Sequence, residues 1–147
     1  MTATQKTPAH LWIVGILSLL WNSGGAYDYT MSQMRNEEYL AMAGIPVADM
    51  LAWIDSFPAW AHAAWALGVW GAIAGSVLLL MRSRHAKTAF ALSLVGIFVS
   101  AFAQHVVVDM PAALQSAGAN AFSAAIILIG VGLLYYSKKQ IESGVLR

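Results

Sequence analysis

The chain contains no cysteine. A disulfide framework, a thiolate nucleophile and a zinc–cysteine site are therefore excluded. Charge is scarce as well: 10% of the 147 residues are Asp, Glu, Lys or Arg, against roughly 25% in soluble domains. A chain of this length in water has too much surface to cover with so few charges, and 59% of it is hydrophobic. Lipid is the expected partner of that surface. No basic tract is present, so no nucleic-acid partner is expected. Nucleophile elbow, phosphate loop and HExxH are all missing, and an enzyme is not expected.

What the chain does have is four long apolar stretches. They run over about 11–29, 58–81, 86–108 and 117–136. Each gives a helix about 29–35 Å long at 1.5 Å per residue, matching a hydrocarbon core of about 30 Å. In lipid a helix also satisfies its own backbone, which open strands cannot do. The expected fold is all-α: residues 1–147 as one integral membrane domain, a bundle of four transmembrane helices with an outer loop over about 30–56. Lys6 followed by an apolar core and Gly24-Gly25-Ala26 imitates a signal peptide. Trp21-Asn22 interrupts the cleavage region and the apolar run is long, so the first helix is expected to be retained.

The cations set the orientation. Lys6, Arg82, Arg84, Lys87, Lys138, Lys139 and Arg147 all fall on one side of four spans, and Arg35 alone falls on the other. The positive-inside rule places both termini in the cytoplasm. Asp28, Glu37, Glu38, Asp49, Asp55 and Asp109 map outside, which agrees. Trp12, Trp21, Tyr27, Tyr29, Trp53, Trp60, Tyr135 and Tyr136 flank the spans, as membrane-interface belts do. A shift of 81 residues superposes Leu11, Val14, Gly15 and Ile16 on Leu92, Val95, Gly96 and Ile97. The second and fourth helices do not continue that register, so chance matching of apolar segments accounts for it.

The outer loop contains short helical segments. Good helix formers run from Met31 to Ala43, extending the first helix until Gly44 caps it and Ile45-Pro46 breaks it. Val47, Met50, Leu51 and Ile54 form one apolar face, suited to lying on the membrane or over the bundle mouth. Ser56 is expected to N-cap the second long helix, with Pro58 in its first turn.

Polar residues in or beside the spans are the functional candidates, because each must find a partner or water. Asn22, Asp28, His62, Gln104, His105 and Asp109 concentrate at the outer ends and form the expected substrate-binding set. His105 and Asp109 are four apart, so they are expected to share one helix face, with the aspartate orienting the imidazole. Arg35 is expected to pair with Asp28, Glu38 or another loop acid. Two histidines with an aspartate suit zinc or iron, and methionines with histidine suit copper(I). No His-x-x-x-His or Glu-x-x-His spacing occurs, and methionine more often fills packing gaps, so neither metal nor cofactor is expected. Gly68, Gly71 and Gly75 offer a close-packing face on the second long helix. That face serves either an intrachain contact or a homo-oligomer.

Residues 21–41, WNSGGAYDYTMSQMRNEEYLA, with residues 55–80, DSFPAWAHAAWALGVWGAIAGSVLLL, carry a resemblance. They resemble small bacterial four-helix membrane proteins often labelled loosely as sugar transporters. The resemblance covers most of the chain and implies a multi-pass protein of the inner membrane of a Gram-negative bacterium. It implies no particular binding residue. Two function classes follow: a small-solute transporter or permease-like protein acting as a homo-oligomer, and a non-catalytic accessory or assembly subunit of a larger membrane complex.

Overall fold

A computed structural model describes residues 6–147. Among these the chain is all-helical: α1 (Ala9–Gln33), α2 (Glu37–Ala41), α3 (Val47–Asp55), α4 (Ala59–Leu80), α5 (His85–Phe102) and α6 (Ala117–Glu142). A π-helical turn, Ala103–Val107, continues α5, and a 3-10 turn, Ala112–Gln115, precedes α6. Three helical stretches are long and apolar enough to cross a membrane: α4, α5 with its π turn, and α6. The first helix has the length for a span. Asn22, Ser23, Gly24, Gly25, Tyr27 and Asp28 dilute its apolar character.

The long helices are neighbours in chain order, α1 on α4, α4 on α5, and α5 on α6. Helices α1 and α6 also meet, through a His10–Tyr136 hydrogen bond and a Trp21–Phe122 ring contact. The α2–α3 segment covers one end, here the cap end. The α4–α5 turn marks the other, the turn end.

The seam between α4 and α5 explains the glycines of α4. A Cβ on Gly71 would sit 3.1 Å from Ser93 Cα, and one on Gly75 would sit 2.6 Å from the Phe90 ring. The Ser93 hydroxyl donates to the Gly68 carbonyl at 2.6 Å. The face expected to serve an intrachain contact or a homo-oligomer is thus filled by the chain's own α5.

Two local expectations change at the cap. The helix expected from Met31 to Ala43 breaks at Arg35, which takes φ 53°. Asn36 then accepts from the Tyr39 N–H at 2.9 Å and starts α2 as an N-cap, a role asparagine fills well. Ser56 does not cap α4. It ends α3, its hydroxyl donating to the Trp53 carbonyl at 2.6 Å, and Pro58 takes the cap position of α4. Gly44 does turn the chain after α2, at φ 76°. The predicted face of α3 is also realised: Met50 and Ile54 are buried against Leu40, with Val47, Leu51 and Leu114 packed around them. Contact with Leu114 places α3 over the mouth of the helices.

At the turn end, Leu11, Leu79, Ala86, Phe90 and Leu133 form the other main core, joined by Val145 and Leu146. These last two residues reach it because Gly144, at φ 75°, reverses the chain beyond α6.

Candidate functional site

The cap end brings polar side chains to one groove. Asp28 and Ser32 lie one turn apart on α1, so they share a face. The break at Arg35 folds α2 back beside that face. The Tyr39 hydroxyl donates to Asp28 Oδ1 at 2.7 Å, and the Tyr27 ring meets the Tyr39 ring edge-on with centroids 5.4 Å apart. Asp28, Ser32, Tyr39, Leu40, Met42, Ala43 and Met50 line a groove of about 240 Å3. One carboxylate, two hydroxyls and two thioethers face it over an apolar floor. Partial burial and then the Asp28 carboxylate push the Tyr39 phenol up to about 12, so it stays a donor at physiological pH.

Arg35 pairs with Asp55, tying the α1–α2 break to the end of α3. The partner is thus neither Asp28 nor Glu38 but another loop acid. Both side chains are about half exposed, so the pair contributes little, roughly 0–1 kcal/mol.

Among the described residues no hydrogen bond joins any two of the six predicted residues. Asn22 lies deeper than expected and joins helices: its Nδ2 donates to Ser76 Oγ at 2.9 Å and to the Ala72 carbonyl at 3.3 Å. His62 lies 3.3 Å from Gln33 Nε2 and packs near the Phe57 ring. Gln104 donates to Ser100 Oγ at 2.9 Å, within its own helix. His105 Nδ1 lies 2.9 Å from the Ala101 carbonyl. Asp109 is exposed and lies beyond the helix.

The predicted His105–Asp109 face is absent for a clear reason. The i,i+4 relation needs a continuous α-helix, but Ala103–Val107 is a π turn and Val108 is extended at φ −117°, ψ 148°. Among the described residues no hydrogen bond or ion pair links any two of Asp28, His62, His105 and Asp109. No group of three His, Asp or Glu side chains with metal-binding geometry occurs among them either.

Ser32 and Tyr39 are the polar groove residues outside the predicted set. The one-turn spacing of Asp28 and Ser32 was a usable signal for the first. Tyr39 reaches Asp28 only because the backbone reverses at Arg35, and nothing in the composition of Met31–Ala43 marks that reversal.

Comparison of the chain with protein-family models, with curated proteins and with solved structures finds no match.

Proposed function

We propose that this chain is a four-span protein of the bacterial inner membrane, serving as a non-catalytic accessory or assembly subunit of a larger membrane complex. The cationic turn end faces the cytoplasm and the acidic cap faces the periplasm, following the positive-inside rule. The observation that carries the subunit reading is the isolation of α6. Only 6% of its most apolar window is buried within the chain, against 28% for α4 and 33% for α5 with its π turn. Its first nine residues, Ala117–Ala125, are small apart from Asn120 and Phe122. Helices associate in lipid through close packing of small residues rather than through a hydrophobic force. Such a face suits a transmembrane helix of another protein better than it suits acyl chains alone.

The test is a photo-crosslinking side chain placed at Ala124 in cells, with one at Val95 on the exposed face of α5 as control. Gentle solubilisation and size analysis follow. The expected result is one defined partner joined from position 124 and not from 95, within an assembly much larger than the chain. A monomer carrying only lipid adducts at 124 would sink the reading.

The groove at the cap favours a second reading, a small-solute transporter or permease-like protein acting as a homo-oligomer, which is also the direction of the family resemblance. Asp28 is the predicted residue that faces the groove. A crosslink from position 124 to a second copy, with solute flux in proteoliposomes reduced by Asp28→Asn, would favour this reading over the first.

A further inference from the structure

The turn end holds a second cleft, of about 350 Å3, lined by Met81, Arg82, Ser83 and Arg147. Backbone geometry builds it. After Gly144 reverses the chain, Val145 and Leu146 are each only 3% exposed and anchor the segment in the core. Arg147 then pairs with the α4–α5 turn in the manner of two short strands. Its N–H donates to the Arg82 carbonyl and its carbonyl accepts from the Arg84 N–H, both at 2.9 Å. Arg82 takes φ 60°, and its Nε donates to the Val145 carbonyl at 3.4 Å. Main-chain bonds therefore bring two arginines to the same cleft, with no acidic side chain holding them there.

Among the described residues the ion pairs are Arg35–Asp55 and Lys138–Glu142, so Arg82, Arg84, Lys87 and Arg147 have no side-chain carboxylate partner. Glu142, the acid of α6, is already engaged by Lys138. Two guanidinium groups offer donors only, and the Ser83 hydroxyl, whose oxygen accepts from the His85 N–H at 3.3 Å, keeps its own O–H to donate to an oxyanion. Guanidinium matches phosphate oxygens in paired hydrogen bonds. Met81 adds a different feature: it is 70% exposed at the cleft wall. A free anion gains nothing from that thioether chain, whereas a lipid carries apolar groups beside its phosphate.

We infer that this cleft binds a phosphate-bearing anion, the headgroup of an anionic phospholipid, with Arg82 and Arg147 on the phosphate and Met81 against the adjoining apolar part. Basic clefts beside transmembrane helices on the cytoplasmic side suit such lipids. The bound lipid clamps the 145–147 segment to the α4–α5 turn, and through it holds α6, the helix least embraced by the rest of the chain. The inference rests on the membrane reading but not on the choice between subunit and transporter.

The experiment is native mass spectrometry of the full chain in detergent, offered phosphatidylglycerol, phosphatidylcholine or inorganic phosphate separately. Arg147→Gln is the main variant because it retains both backbone bonds of that residue; Arg147→Lys is the charge-conserving companion. The wild type is expected to retain about one phosphatidylglycerol per chain, at roughly tenfold greater occupancy than phosphatidylcholine, a difference of one decade in affinity. Arg147→Gln should lose most of that preference and Arg147→Lys should keep a large part of it. Equal retention of the two lipids, or a preference unchanged in Arg147→Gln, would overturn the site. Inorganic phosphate bound instead of phosphatidylglycerol, and lost in Arg147→Gln, would uphold the anion site and overturn lipid as its source. A chain that remains dispersed as a monomer after detergent removal would overturn the membrane reading and lipid as the source together; phosphate binding by the wild type and Arg147→Gln then decides the cleft separately.

Discussion

Replacing Gly96 by alanine probes the seam between α4 and α5 directly. A Cβ there would lie 2.6 Å from the Ala64 carbonyl oxygen and 2.9 Å from Gly68 Cα. Both are backbone atoms of α4, so no side chain can rotate away and the helices must part. Overpacking of this kind costs about 1–3 kcal/mol. Alanine's better helix propensity returns at most about 1 kcal/mol. Parting the helices also weakens the bond from Ser93 to the Gly68 carbonyl, an interaction of about 0.6 kcal/mol on average between membrane helices. The net expectation is a destabilisation of about 1–2 kcal/mol. Gly132→Ala is the matched control, since a Cβ at that position meets nothing within 4 Å. It should be neutral or stabilising by up to about 1 kcal/mol. Reversible unfolding in mixed micelles, followed by far-UV circular dichroism, measures both. A Gly96→Ala protein as stable as the wild type, or a Gly132→Ala protein equally damaged, would refute the close α4–α5 contact.

Three further outcomes follow from named contacts. Asn22→Ala should lower stability by about 0.5–1 kcal/mol in the same assay, toward the small end because Ser76 keeps its own bond to the Ala72 carbonyl. Leu146→Ala should cost about 2 kcal/mol or more, since that side chain is 3% exposed in the turn-end core; an unchanged midpoint would mean the 145–147 segment is not docked. Tyr39 should ionise late in an ultraviolet titration, near 12 rather than 10. The folded state then holds the phenol proton longer than the unfolded state, so this contribution to cap stability is intact below pH 10 and lost as pH rises through 12. Tyr39→Phe should remove the late step, and Asp28→Asn should lower it only partway, because burial is the larger cause.

Helix positions were legible because they depend on local composition. Runs of apolar residues locate the starts of α4, α5 and α6 to within one residue, whereas the ends of α5 and α6 fall six residues from the expected ones, and Gly44 announces its turn by its own conformational freedom. The candidate site was less legible. The pairing of His105 with Asp109 required an uninterrupted helix, yet the Val106-Val107-Val108 run, whose β-branched side chains are poor helix formers, lies where the backbone leaves α geometry. Asn22 was rightly marked as a polar residue needing a partner, but its partner Ser76 stands 54 positions away.

Composition and charge order, then, determined an all-helical chain with apolar helices of bilayer length and a basic character on one side of them, because hydropathy and helix length act residue by residue. The tertiary structure decided everything that depends on which surfaces meet. It turned the α4 glycines toward α5, left α6 nearly unembraced, folded Tyr39 onto Asp28, and laid Arg147 beside Arg82. Each depends on residues far enough apart along the chain to carry no local signal, so packing and long-range hydrogen bonds set it.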